Sequence, residues 1–278
     1  MKAAPFAYER PSTLSEAIAV MREANGSIKI MAGGQSLGPM LNLRLVQPDL
    51  VIDITGLAEL KQVERDGDEL VVGACVTHGD IEDGRIPDVT RQAMRRVASG
   101  IAYRAVRSRG TIGGSLSHAD PAADWVSALP ALGAKIRLRG PAGHRDLAIE
   151  DFMTGALESA LQASELVEAV RVPVMRASAR WGYAKACRKP GEFAHAIAAV
   201  LIDPEAATGR VVLGAIDAPP IVLHDASSLF GGSITGNFRQ AFTPSAADAL
   251  LAKAGMAAAV DRHIHVAILG RAIDEAAA

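Results

Sequence analysis

RGTIGGSLSHADPAAD, residues 109–124, decides how this chain is read. A glycine pair, Gly113-Gly114, sits between Thr111 and Ser115. Glycine takes backbone conformations that a Cβ forbids, so such a pair marks a tight turn. Bare backbone also lets successive N–H groups converge on an anion. A second stretch, AGGQSL at residues 32–37, repeats the pattern with Gly33-Gly34 followed by Gln35, Ser36 and Leu37. Neither stretch contains a lysine, so neither is a P-loop, which ends in Gly-Lys-Ser/Thr. Neither is a G-x-G-x-x-G opening a helix, so a Rossmann site is unsupported. Either turn alone reads as an ordinary turn at a strand end. Together, with small polar side chains beside each pair, they fit a clamp that grips one diphosphate from two sides. Backbone amides would carry most of that binding, helped by Arg107 and Arg109.

The surroundings mix helix and strand. PSTLSEAIAVMREANG predicts a helix, capped by Thr13 with Glu16, with Leu14, Ala17, Ile18 and Met21 on one face and Gly26 as the stop. SIKIMAGG, PDLVIDITGL and DELVVGACVTHGDI predict strands, and DVTRQAMRRVASGIA a helix. Asp120 as N-cap and Pro121 at the first turn predict a helix through DWVSALPALG. AKIRLRG alternates, with Ala134, Ile136 and Leu138 facing inward. ELVEAVRVPV predicts a further strand. RWGYAKACRK, FAHAIAAVLID and GRVVLGAID give a three-stranded set, in which FAHAIAAVLID fits either a helix or a buried strand and is read as a strand; helices follow in TPSAADALLAKAG and DRHIHVAILGRAIDEA. PVMRASAR reads as a linker, which places a boundary near residue 176.

Composition excludes several functions. The 278 residues are 49% hydrophobic with net charge -2, and the charges are spread rather than gathered in a basic stripe, which disfavours nucleic-acid binding. No apolar run approaches the ~20 residues of a membrane span. MKAAPFAYERPST is broken by charge and proline and does not read as a signal peptide, so the expected location is cytoplasmic. Two cysteines, Cys75 and Cys187, cannot supply an ordinary iron–sulfur cluster and lack zinc spacing. No metal cluster or Ser-His-Asp arrangement stands out, so no catalytic residue is assigned.

AGGQSL, NLRL, DLVIDI, RGTIGGSLSHADPAAD and KACRKPGEFA together resemble the FAD-binding medium subunit of molybdenum hydroxylases. That family includes the flavoprotein of aerobic carbon monoxide dehydrogenase and the flavin domain of xanthine dehydrogenase. The resemblance implies an α+β fold: an FAD-binding domain of the vanillyl-alcohol-oxidase/p-cresol-methylhydroxylase type over residues 1–176, with lobes of about 1–57 and 58–176. A C-terminal domain, 177–278, would hold a three-stranded sheet with helices. Both glycine loops would bind the FAD pyrophosphate, one from each lobe.

Carried over residue by residue, Ile30, Met31, Ala32, Gly33, Gly34, Gln35, Ser36 and Leu37 match the first loop. Thr111, Ile112, Gly113, Gly114 and Ser115 match the second, where the family more often has Asn at position 115. His118 falls in the family's phosphate-proximal HADP stretch, and Asp124 matches a ribose-hydroxyl acceptor. Their ordinary readings, a turn histidine and a first-turn carboxylate, stay open. Ile101 and Val167 match apolar positions on the flavin or are plain core. Lys185 matches a lysine near the flavin ring, with surface exposure as its alternative. Phe193 stands where relatives often have Tyr. Ala105 and Ser108 depart from the family's usual run.

The implied function is electron transfer: an FAD subunit that takes electrons from a small [2Fe–2S] partner, while a large molybdopterin partner oxidises the substrate. A dimer of heterotrimers is the expected assembly. Substrate and terminal acceptor stay open. Two alternatives stand beside this: a free-standing flavin oxidase or reductase, and a non-catalytic nucleotide-binding assembly subunit.

Overall fold

In the computed structural model, which describes residues 2–278, three principal sheets organise the chain. The first is parallel. β1 (Ala7–Glu9), α1 (Leu14–Glu23), β2 (Ile28–Met31), α2 (Leu37–Asn42) and β3 (Leu50–Asp53) give the strand order β1-β3-β2. The central β3 is buried at every residue, which is why it reads as a continuous apolar run. Thr13 caps α1, accepting from the Glu16 N–H, while the Glu16 carboxylate reaches back to Ser12 rather than Thr13.

The second sheet is antiparallel. It comprises β4 (Val63–Asp66), β5 (Glu69–Gly73), β6 (Lys135–Gly140), β7 (Gly143–Ala148) and, after the small β8–β9 hairpin (Met153–Gly155, Glu158–Ser159), β10 (Leu166–Pro173). Strand order is β4-β5-β10-β6-β7. Between β5 and β6 run α3 (His78–Glu82), α4 (Ala93–Gly100), α5 (Arg104–Arg107), α6 (Ile112–His118) and α7 (Asp124–Ala131); α8 (Ile149–Phe152) follows β7. Leu70, Val72, Ile136, Leu138, Val170 and Val172 form the buried face. Glu69, Arg137, Arg139 and Arg171 line the other, tied into cross-strand ion pairs with Asp146 and Glu168.

Two sequence expectations are corrected in this region. The strand expected through Ile81 ends at Gly73, where a Cβ would lie 2.3 Å from the Leu60 carbonyl oxygen. A helix then starts at His78 behind a reciprocal capping box of Thr77 and Asp80. Asp120 is not the N-cap of α7; that position is Ala123. Asp120 instead closes the preceding turn, its carboxylate accepting the Ala122 N–H at 2.9 Å.

The third sheet holds β11 (Arg180–Ala186), β12 (Ala196–Asp203), β13 (Thr208–Gly214) and β14 (Ile221–Leu223), in that order. The expected three strands are therefore four. β14 follows Pro219-Pro220 and is too short to show a period in the sequence. α9 (Phe238–Ala241), α10 (Pro244–Lys253) and α11 (Ala259–Ala276) complete the chain. β12 is buried on both faces. Ala196, Ala198, Val200 and Ile202 pack with α10 and α11, whereas Ile197 and Ala199 join the core beneath α7. Among the described residues no helix is long and apolar enough to cross a membrane.

Candidate functional site

The two glycine turns meet. A Cβ on Gly33 would fall 2.0 Å from the Arg109 carbonyl oxygen, so this glycine is what lets the first loop lie against the second. A Cβ on Gly114 would stand 3.7 Å from that of Ala32. Similar in sequence, the loops differ in how their amides are used.

In the first loop, Gly34 takes φ +71 and Ser36 lies in the right-handed region, the mixture of left- and right-handed backbone found where N–H groups line an anion site. Among the described residues, no protein group accepts a hydrogen bond from the backbone N–H of Gly33, Gly34, Gln35, Ser36 or Leu37. The carbonyls are engaged: Gly34 accepts from Gly38 N–H at 2.9 Å, Ser36 from Met40 N–H at 3.1 Å, and Gly33 from the Gln35 side chain at 3.2 Å. The loop is locked through its acceptors and leaves its donors free.

The second loop is the reverse. Ile112 N–H donates to the Val76 carbonyl, Gly113 N–H to that of Ala74, Gly114 N–H to Thr111 Oγ1, and Ser115 N–H to the Thr111 carbonyl, all at 3.0–3.1 Å. A Cβ on Gly113 would meet Ala74 at 2.4 Å. Gly113 therefore serves close packing just past the end of β5. What the loop leaves free is the Ser115 hydroxyl, which has no protein partner among the described residues.

Loop two is held from below by α3. The backbone N–H of His78 donates to the Gly110 carbonyl at 2.9 Å, and Trp125 Nε1 donates to His78 Nδ1 at 3.1 Å. Burial, with Arg107 nearby, pushes the His78 pKa down to about 4, so the imidazole is neutral. Of the two arginines expected to assist, only one is free to do so. Arg107 makes two bonds to Glu82 and two more to the carbonyls of Ile101 and Ala102. Arg109 is exposed and, among the described residues, has no carboxylate partner.

A second centre lies where α4 ends. Lys185 Nζ donates to Asp124 Oδ1 at 2.7 Å and to the Gly100 carbonyl at 2.9 Å. Tyr183 donates its phenol proton to the same Asp124 Oδ1 at 2.7 Å. Asp124 is a first-turn carboxylate of α7, as its ordinary reading has it, but a buried one, and the Lys185 side chain is only 15% exposed rather than on the surface. The loop carrying Phe193 sits close by, since Gly191 abuts Ala102 and the ring of Tyr103. Phe193 itself is 66% exposed.

The structure thus gathers Ile30 through Leu37 with Thr111 through Ser115, and separately groups Ile101, Asp124, Lys185 and the Phe193 loop. Arg107 bridges the two through α5. Val167 is buried in β10, beside the Glu168 carbonyl that accepts the Ala74 N–H. His118 is half-buried at the end of α6, without a hydrogen-bond partner among the described residues. Sequence reasoning missed Tyr183, His78 and the Glu82–Arg107 pair. The Trp181-Tyr183-Lys185 alternation carried a signal for the first; the others are tertiary pairings with none.

Residues 4–175 match the family model described as the FAD binding domain in molybdopterin dehydrogenase. The chain is 37% identical over 241 residues to the caffeine dehydrogenase subunit beta of Pseudomonas sp. (strain CBB1), covering 85% of this chain and 82% of that protein. It is 32% identical to the carbon monoxide dehydrogenase medium chain of Hydrogenophaga pseudoflava, covering 89% and 86%. Among solved structures, reconstituted CO dehydrogenase from Oligotropha carboxidovorans superposes with a TM-score of 0.88 at 27% identity, over 100% of this chain and 99% of that one.

Proposed function

The chain belongs to the family of FAD-binding domains of molybdopterin dehydrogenases, and from that premise we propose that it is the electron-transferring flavoprotein subunit of a three-component molybdenum hydroxylase. The observation that carries the reading is the run of free amides from Gly33 to Leu37, facing a second loop across a glycine contact. Half-buried donors without acceptors call for an anion, and each charge-assisted bond to one contributes about 1.5–3 kcal/mol.

FAD supplies the redox chemistry when bound, because a flavin joins one-electron iron–sulfur carriers to two-electron acceptors. The chain's own residues bind and orient it. The amides of residues 33–37 hold the diphosphate, and Ile30, Met31 and Ala32 bring that loop off β2. Thr111, Ile112, Gly113 and Gly114 fix the opposing wall, from which Ser115 and Arg109 reach the same anion, with His118 at its edge. Asp124, whose Oδ2 has no protein donor among the described residues, accepts a ribose hydroxyl. Ile101, Val167 and Phe193 supply apolar surface for the ring. Lys185 stands beside it with its charge already offset by Asp124, so it acts on the flavin as half of an ion pair rather than as a lone cation.

In the same reading, residues 1–57 and 58–176 are the two lobes of a vanillyl-alcohol-oxidase-type FAD domain, and 177–278 form the C-terminal domain. The partners are a large molybdopterin subunit and a small [2Fe–2S] subunit, in a dimer of heterotrimers located in the cytoplasm. FAD held by these residues would pass its electrons to an external acceptor.

The test is co-expression with both partner subunits, followed by purification and a visible spectrum. One FAD per chain, with iron–sulfur bands and flavin bleaching on addition of substrate to the complex alone, is the expected result. Substrate oxidation by the isolated chain would point to a free-standing flavoenzyme. A colourless complex would point to an assembly subunit.

A further inference from the structure

One face of β11 carries Trp181, Tyr183 and Lys185; the last two reach Asp124 at the start of α7, and Lys185 also reaches the Gly100 carbonyl at the end of α4. Trp181 and Tyr183 stack with their rings 3° from parallel. Tyr183 and Lys185 both donate to Asp124 Oδ1, at 2.7 Å each, while Oδ2 receives no protein donor among the described residues. Tyr183 is itself gripped from behind. Its backbone N–H donates to Glu275 Oε2 of α11 at 3.4 Å, and Glu275 is ion-paired with Arg96 of α4. α11 lies directly on the strand here: a Cβ on Gly182 would meet the Ala272 carbonyl oxygen at 1.8 Å.

A carboxylate facing one lysine turns readily so that both oxygens share the ammonium. Two donors from different directions on one oxygen prevent that. They fix the plane of the carboxyl group and leave the other oxygen as a directed acceptor. Held between Glu275 and Asp124, Tyr183 can supply the second donor without moving. We propose that Tyr183 is a positioning residue for the cofactor site: its phenol fixes Asp124 so that Oδ2 is presented to a hydroxyl of the bound nucleotide, and α11 sets that geometry through Glu275. The inference rests on the proposed FAD role of Asp124. Tyr183 touches no cofactor atom in this account and acts only through the carboxylate. Loss of its hydroxyl lets Asp124 turn both oxygens to Lys185 and withdraws the acceptor.

Tyr183→Phe keeps the stacked ring and removes only the hydroxyl. Flavin-fluorescence quenching of the apo-complex should show FAD affinity about tenfold weaker, with circular dichroism unchanged. A double-mutant cycle with Asp124→Asn separates positioning from general packing. If Tyr183 acts through Asp124, adding Tyr183→Phe to Asp124→Asn costs no further affinity; a structural role makes the two losses multiply. Should Tyr183→Phe fail to fold, Glu275→Ala tests the same chain from its far end, with a smaller loss of affinity that also vanishes in the Asp124→Asn background. Unchanged affinity in Tyr183→Phe, or multiplying losses in the cycle, overturns the proposal. Absence of FAD binding by the wild-type complex would overturn the functional reading instead, and the two failures cannot be confused.

Discussion

AGGQSL and TIGGSL differ little as text, yet the chain uses them in opposite ways. The first loop satisfies its carbonyls and leaves its N–H groups open; the second bonds its N–H groups to the connection that follows β5 and to its own cap. One is a donor surface and the other a wall. A glycine pair therefore does not by itself announce an anion site. What decides is whether nearby backbone offers acceptors, and β5 lies beside only one of the two loops.

The largest effects should come from adding one methyl group to each loop. Gly33→Ala drives a Cβ into the Arg109 carbonyl and parts the loops. With the donor amides drawn away from the opposing wall, FAD affinity should fall about a hundredfold, near 2.7 kcal/mol, read by flavin-fluorescence titration of the apo-complex. Gly113→Ala drives its Cβ into Ala74 inside a packed core. Overpacking against backbone there should lower stability by about 3 kcal/mol, read by urea denaturation. If Gly113→Ala leaves stability untouched and removes only FAD, the second loop is no wall and the distinction collapses.

Acid should then probe the wall alone, because its anchor titrates and the first loop holds no titratable side chain. Unfolded, His78 takes up a proton near pH 6.5; folded, it does so only near 4, because burial lowers its pKa. Between those values the unfolded chain binds more protons, so stability falls as pH drops through that window and levels off below it. At pH 5 the loss relative to neutral pH is about 2 kcal/mol. His78→Gln retains an acceptor for the Trp125 indole and should remove that part of the pH dependence in paired denaturation curves at pH 7 and 5.

Much of this was legible in the sequence. The alternation of AKIRLRG placed Ala134, Ile136 and Leu138 in the core, where they lie. Thr13 caps α1 as its spacing suggests, and FAHAIAAVLID is the strand that its apolar run fits. The family was legible too, because its motifs sit in loops that composition cannot otherwise explain. What stayed hidden was pairing across the chain. Nothing local says that Arg107 is taken by Glu82, that Lys185 is taken by Asp124, or that one glycine loop has a strand end for a neighbour. The fourth strand of the last sheet was hidden by shortness, and the start of α7 by a proline turn that imitates a helix cap.

Arg109 sharpens the comparison at lower energy. It is exposed and has no carboxylate partner among the described residues, whereas Arg107 is consumed by structure. Arg109→Gln should leave stability within about 0.5 kcal/mol of wild type. It should weaken FAD binding about fivefold, roughly 1 kcal/mol, and reduce the salt dependence of that binding. Titration of the apo-complex at two ionic strengths reads both. An affinity that does not change would place the guanidinium away from the diphosphate.

The smallest effect should come from the two serines, and here the loops ought to behave alike. Ser36 and Ser115 both carry hydroxyls without a protein partner among the described residues, although their amides differ, free at Ser36 and bonded at Ser115. Neither hydroxyl contributes to the fold, so Ser36→Ala and Ser115→Ala should each leave stability within about 0.5 kcal/mol. A neutral hydrogen bond contributes about 1 kcal/mol net, less where water competes, so each variant should weaken FAD binding about threefold. Combining them tests the clamp itself. If the hydroxyls reach different oxygens of one diphosphate from opposite walls, they share no partner and their losses multiply to about tenfold. If the double variant is no weaker than the single ones, the hydroxyls compete for one oxygen, and the two loops converge on a point rather than closing around a group.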